Sequence, residues 1–92
     1  MSVPDALFEP LRGKGRTVRQ ALGEVALRWE AAPLTGVGAR SALEESVRHL
    51  LLRGRIRGEL PAGADPAAAA HAFVEALVAG RGVAAVAEVL GA

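Results

Sequence analysis

The clearest helix signal in the chain lies at residues 64–80, which read ADPAAAAHAFVEALVAG. Asp65 is a favourable N-cap residue, because its side-chain oxygen can accept a hydrogen bond from a backbone N–H of the first helical turn. Pro66 suits the first helical position, where its missing N–H costs no hydrogen bond. Alanine and leucine, which are frequent in the residues that follow, are strong helix formers. The stretch therefore predicts a helix that begins at position 66.

The C-terminal end of this helix depends on the step Gly80-Arg81-Gly82. Each interior glycine costs about 1 kcal/mol relative to alanine, so two of them indicate either close packing or a break. Apolar residues continue beyond the step, at Val83, Val86 and Leu90. We predict a helical stretch over residues 66–90, which the step either kinks or divides before a short last helix.

Two helices are predicted before residue 33. The first, over residues 4–11, is short, because Pro10 lacks a backbone donor and a glycine-rich segment follows. The second, over residues 17–31, has an apolar stripe with the helical period, formed by Val18, Leu22, Val25 and Trp29. Thr17 is its expected N-cap residue, and no capping box is expected there.

A third helix is predicted over residues 40–57. Ser41, followed three residues later by Glu44, matches the capping-box pattern and marks its start. Its last turn is rich in arginine, and Gly58 follows as the C-terminal glycine. Its apolar stripe consists of Leu43, Val47, Leu50, Leu51 and Gly54, and Leu52 widens it. Since no segment alternates with the period of a strand, we predict an all-α fold, a single domain built as a small bundle of three to four helices.

The composition limits the classes of protein to which the chain can belong. Its 92 residues suffice for one domain, and 11 basic against 10 acidic side chains leave a net charge of +1. This near-balance argues against a nucleic-acid coat protein or an acidic disordered tail. No cysteine is present, which excludes disulfides, a thiolate nucleophile and cysteine-ligated zinc.

Length and hydropathy predict a soluble protein for which stability through a partner is an option. A chain this short buries roughly 60–65% of the surface of its unfolded form, so a lone monomer is marginally stable. Residues 1–11 carry Asp5, Glu9 and two prolines, unlike a signal peptide. The most apolar stretch, residues 66–90, is interrupted by charges, unlike a membrane span of about 20 apolar residues. We expect a cytoplasmic protein without membrane association.

No constellation of catalytic or metal-binding residues is apparent in the sequence. His49 and His71 do not form an HxxxH or HExxH metal-binding pair. Phosphate-loop and serine-hydrolase motifs are absent. Glu44 and Glu45 are neighbours that point to different faces of their helix, which does not suit paired acid–base chemistry. We therefore predict a protein that is not an enzyme and has no metal or cofactor.

The strongest basic run is Arg53-Gly54-Arg55-Ile56-Arg57. Its three arginines suit phosphate contacts, but cations at a helix C-terminus also complement the helix dipole. Residues 1–60 have a net charge of +3 and residues 61–92 of −2, which is a mild asymmetry. No aromatic residues interleave with the arginines as in a platform for single strands. The dipole interpretation is favoured, and direct nucleic-acid binding is not expected.

Trp29 is the one large aromatic anchor and has two interpretations. In the first, it closes the hydrophobic core where the second helix ends. In the second, it lines an apolar pocket together with Phe73, between helices, where all-α proteins commonly hold small ligands. The core interpretation is favoured, and Trp29 and Phe73 are the candidate ligand-binding residues.

Residues 47–80 carry a series of helix and turn motifs. An apolar helix that ends in arginine is followed by Gly58-Glu59-Leu60-Pro61, Ala64-Asp65-Pro66, Ala69-Ala70 and Leu77-Val78-Ala79-Gly80. This series resembles the C-terminal regulatory domain of TetR-family transcriptional repressors. The sequence lacks the N-terminal helix-turn-helix of that family, so the DNA-binding role does not carry over.

The resemblance implies a regulatory domain that senses a ligand and dimerises. In the family, the last two long helices pack against their symmetry mates in a four-helix interface. Carried over to this chain, the dimer interface consists of Leu43, Val47, Leu50, Leu51, Ala69, Ala70, Phe73, Leu77 and Gly80. The expected partners are a second copy that completes the bundle and a small apolar ligand. The alternative is a small helical adaptor without a ligand, which binds a partner helix through the same apolar stripe.

Overall fold

Five α-helices form the fold in the computed structural model, which describes residues 3–12, 15–61 and 63–91, with side chains from residue 7 onward. They are α1 (Val3–Arg12), α2 (Val18–Ala31), α3 (Val37–Ile56), α4 (Pro66–Val78) and α5 (Ala84–Leu90). No strand occurs in these residues, so the predicted all-α class is confirmed. The number of helices in them is five, rather than the predicted three or four.

The stretch predicted as helical over residues 66–90 is two helices, α4 and α5, and the division falls at Gly80. This residue has a φ of 84°, in the left-handed region that glycine adopts without steric cost. Its N–H donates to the Leu77 carbonyl at 3.0 Å, and the Arg81 N–H donates to the Ala76 carbonyl at 3.1 Å. These two bonds form a Schellman motif, which satisfies the last carbonyls of α4 and ends it.

α2 begins with a complete capping box, so the prediction that none forms there is wrong. The Thr17 hydroxyl accepts a hydrogen bond from the Gln20 N–H at 3.1 Å. In return, the Gln20 side-chain oxygen accepts one from the Thr17 N–H at 2.9 Å. Glutamine three residues after threonine is one of the residue pairs that form this motif, so the signal was present in the sequence.

α3 begins at Val37, three residues before the predicted position 40. Its N-cap residue is Gly36, which makes no side-chain capping bond. The predicted capping box at Ser41 is not the start of the helix, because Ser41 lies inside α3. The additional turn brings Ala39 into contact with the hydrophobic core, which favours the earlier start. α3 ends at Ile56, one residue before the predicted end, and Gly58 directly follows the cap residue Arg57.

A continuous hydrophobic core joins all five helices. The most extensive contact between two of them is that of α3 with α4. The predicted stripes of α2 and α3 are confirmed as core-facing at every member except Leu52, because the other members are buried and Leu52 is exposed. Phe73 is the largest side chain among those that are fully buried. The core therefore includes the two stripes that helical spacing predicted, together with residues that no stripe predicted, such as Leu7 and Leu34.

α2 and α3 approach each other closely at Gly54. A β-carbon built on this glycine would lie 2.3 Å from Cγ2 of Val18 and 3.1 Å from Cδ1 of Leu60. Val18 is completely buried, and a β-branched side chain in a helix has little rotamer freedom. It therefore cannot move aside at low cost, and this contact requires glycine at position 54.

We predict that Gly54→Ala destabilises the protein, although alanine is the better helix former. The overlap with Val18 should cost about 1–3 kcal/mol as overpacking, which outweighs a propensity gain of about 1 kcal/mol. Gly23→Ala is the matched control, because Gly23 is also helical and a β-carbon there meets no atom within 4 Å. The control should gain stability. Urea denaturation measures both changes, and a Gly54→Ala protein as stable as the control would contradict the close contact.

Candidate functional site

A cleft of about 570 Å³ lies between the end of α1, the start of α2 and the C-terminal half of α3. We call it the arginine cleft, because four arginines line it. They are Arg12 of α1, Arg16 just before α2, and Arg53 and Arg57 at the end of α3. Among the residues that the structure describes, no acidic side chain lines this cleft. Its lining is therefore positively charged.

The rest of the lining is apolar apart from Gly15. Leu11, Ala21 and Leu50 are almost completely buried, with exposed fractions of 2%, 0% and 4%, so the accessible apolar surface of the cleft comes mainly from the carbon atoms of the arginine side chains. These residues belong to α1, α2 and α3, so the packing of three helices shapes the apolar part of the cleft. The cleft thus offers a ligand both cationic donors and apolar contacts.

Arg53 and Arg16 are oriented by hydrogen bonds within the chain. Arg53 donates from Nη2 to the carbonyl oxygen of Leu11 at 2.9 Å. Arg16 donates from Nε and Nη2 to the two carboxylate oxygens of Glu24. Since a guanidinium carries five N–H donors, both arginines keep further donors after these bonds are made.

Glu59 connects the end of α3 with the start of α2. Its Oε2 lies 2.8 Å from Nε of Arg57, and its Oε1 accepts a hydrogen bond from the Val18 N–H at 2.9 Å. Val18 is the first residue of α2, where N–H groups have no partner within the helix. The same carboxylate therefore caps α2 and orients an arginine of the cleft.

The ion pair of Arg16 with Glu24 shifts the pKa of both groups. The hydrogen bond from Arg16 lowers the pKa of the Glu24 carboxyl, and the positive charges of Arg16 and Arg28 act in the same direction against partial desolvation. The hydrogen bond to Glu24 and the charge of Glu24 raise the pKa of Arg16. The pair therefore stabilises the charged form of each partner.

Trp29 and Phe73, the candidate ligand-binding residues, lie together in the hydrophobic core. Phe73 is fully buried and Trp29 is 5% exposed. Neither side chain lines the arginine cleft. An apolar ligand between them would have to displace side chains that now surround them, and this assignment stays a prediction.

Most of the predicted dimer-interface residues are used within the chain, in the core formed by α3 and α4. The buried members of the set are Leu43, Val47, Leu50, Leu51, Ala70, Phe73 and Leu77. Ala69 is half-buried, and Gly80 is exposed after the end of α4. In this structure the set stabilises a single chain, and a dimer contact through it stays a prediction.

The structure separates the three arginines of the basic run. All three are exposed, but only Arg53 and Arg57 line the arginine cleft. A spacing of four residues places Arg53 and Arg57 on one helix face. This spacing was the sequence signal that could have grouped them in one site. Arg12 and Arg16 were not predicted as site residues, because they are distant in sequence and only tertiary packing brings them there.

The two histidines lie on exposed parts of the helices. Nε2 of His49 is 3.3 Å from Nη2 of Arg48. Nδ1 of His71, on α4, is 2.6 Å from Oε1 of Glu44, on α3. Within the described ranges, no three His, Asp or Glu side chains come together as a metal site requires. No helix described by the structure is both long enough and apolar enough to cross a membrane.

No family model, curated protein or solved structure matches the chain significantly. The resemblance to TetR-family regulatory domains therefore stays a prediction. The fold and the cleft define a small all-α protein with an arginine-lined site.

We predict that Glu24→Gln reduces stability at neutral pH and that its effect fades in acid. The pKa of Glu24 is lower in the folded protein than the ordinary value of about 4.3. Its stabilising contribution is therefore complete above that ordinary value and is lost as the pH falls through the folded pKa. Denaturant unfolding of wild type and variant between pH 7 and pH 3 measures the gap. In an Arg16→Gln background the gap should be smaller, and a gap that widens in acid would contradict the pairing.

Proposed function

We propose that the protein is a non-enzymatic ligand-sensing domain that acts in transcriptional control, as the resemblance to TetR-family regulatory domains implies. The observation that carries the ligand-binding part is the arginine cleft. Its volume of about 570 Å³ falls within the range of roughly 300–1,000 Å³ that is typical of small-molecule sites. Because α1, α2 and α3 all line it, a ligand there would favour the packed arrangement of these helices.

A homodimer is the second part of the proposal. α3 keeps two apolar side chains at its surface one turn apart, Leu52 with 38% and Ile56 with 87% of their area exposed. A spacing of four residues places both on one face of the helix. Because the core does not cover these two side chains, they form an apolar surface through which α3 can contact a second chain. The same pair supports the alternative function, an adaptor that binds a partner helix.

Ligand-dependent stabilisation tests the sensing function. Thermal unfolding, followed by circular dichroism, should be measured with a panel of neutral, cationic and anionic small molecules. A true ligand at 100 times its dissociation constant stabilises the folded state by about 2.7 kcal/mol. If no member of the panel stabilises the protein, the ligand-sensing function is wrong and the adaptor is the better proposal.

Light scattering coupled to size-exclusion chromatography, over a dilution series, tests the dimer. We expect twice the chain mass of 9.4 kDa at high concentration, and dissociation by Ile56→Glu. Val37→Glu is the control, because Val37 is similarly exposed, at 81%, but lies at the opposite end of α3. A monomer at every concentration contradicts the dimer, and equal effects of both variants contradict the assigned surface.

A further inference from the structure

The arginine cleft combines cationic and apolar surface, and this combination identifies a class of ligand. Four guanidinium groups line it together with buried apolar residues, including Leu11 and Leu50. We propose that the cleft binds a small amphiphilic anion. Its carboxylate or phosphate group is held by the arginines, and its apolar body covers the apolar part of the lining, which includes the carbon stems of the arginine side chains. The inference rests on the proposed ligand-sensing function and specifies its ligand.

The arginines suit oxyanions because of their geometry and because they are already oriented. A guanidinium presents its N–H groups as a planar fork that matches the oxygens of carboxylates and phosphates. Arg53 is held by the Leu11 carbonyl and Arg57 by the Glu59 carboxylate. Side chains that are already ordered lose less conformational entropy when a ligand binds.

The positive charge of the cleft is only partly compensated within the chain. Glu24 pairs with Arg16, and Glu59 pairs with Arg57. Arg53 has a backbone carbonyl as its partner and forms no ion pair with any residue in the described part of the chain. A bound anion would therefore supply the negative charge that balances the Arg53 guanidinium.

The apolar part of the lining argues for an amphiphile rather than a bare anion. Inorganic phosphate could satisfy the guanidinium groups, but it would leave the apolar surface of the cleft in contact with water. Because Leu11 and Leu50 are only 2% and 4% exposed, most of that surface belongs to the carbon atoms of the arginine side chains. Covering apolar surface contributes about 25 cal/mol per Å², so an apolar body adds affinity that a bare anion lacks. Duplex DNA would instead contact cationic side chains along the open surface, and Arg55 would then contribute to binding as much as Arg53 and Arg57.

Isothermal titration calorimetry on the full chain, with four probes, tests the ligand class. Octyl phosphate and octanoate carry both features, octanol carries only the apolar body, and inorganic phosphate carries only the charge. We expect the first two to bind with one-to-one stoichiometry. Octanol and inorganic phosphate should each bind more weakly by roughly tenfold or more, which corresponds to about 1.4 kcal/mol.

Three matched substitutions test the position of the site. Arg53→Gln and Arg57→Gln should each weaken octyl phosphate binding by roughly tenfold, the loss expected for one charged hydrogen bond. Arg55→Gln should leave the affinity unchanged, because Arg55 lies on the same turn but outside the cleft. Circular dichroism establishes that each variant is folded. Since Arg53→Gln also removes the bond to Leu11, Arg57→Gln gives an independent answer.

The remaining outcomes overturn the inference in ways that can be told apart. Octanol binding as tightly as octyl phosphate would remove the anion requirement but leave a ligand-sensing function intact. If Arg55→Gln weakens octyl phosphate binding as much as Arg53→Gln does, the arginines act as an open cationic surface and not as a cleft. Salt-dependent binding of duplex DNA without binding of octyl phosphate would lead to the same conclusion. Binding to phosphatidic acid vesicles without binding of free octyl phosphate would assign it to a membrane surface. Failure of these probes and of the wider panel would remove the proposed function as well.

Discussion

The contact of Val18 with Gly54 is the constraint on which the fold and the cleft both depend. It sets the first turn of α2 directly against α3, at a distance that leaves no room for a β-carbon at position 54. At the same place, the Glu59 carboxylate accepts a hydrogen bond from the Val18 N–H. It also forms an ion pair with Arg57. One junction therefore starts α2, connects it to the end of α3 and orients an arginine of the cleft.

Core packing, rather than attraction between charges, brings the four arginines together. Leu11 precedes Arg12 in α1, and Leu50 lies one turn before Arg53 in α3. When these leucines enter the core, the neighbouring arginines are carried to the same cleft. Like charges gathered in this way repel one another, and the carboxylates of Glu24 and Glu59 offset part of that repulsion.

The sequence predicted what depends on local spacing and left open what depends on tertiary contact. Helical periodicity was sufficient to identify the buried stripes of α2 and α3, because core-facing residues repeat with the helix. The step at Gly80 was compatible with a kink or a break, and only the bonds at the end of α4 distinguish the two. The large side chain of Trp29 was compatible both with a place in the hydrophobic core and with a place in the wall of a ligand pocket, and its size does not distinguish the two. Arg12 and Arg16 had no local signal, because the cleft that they line forms from three separate segments.

The most direct test of this account is a nuclear Overhauser effect between the methyl protons of Val18 and the α-protons of Gly54, in the isotopically labelled chain. We expect a strong effect, because a side-chain methyl of Val18 lies against the backbone of Gly54. Its absence in a well-dispersed spectrum of the folded protein would contradict the junction, and with it the shared origin of the fold and the arginine cleft.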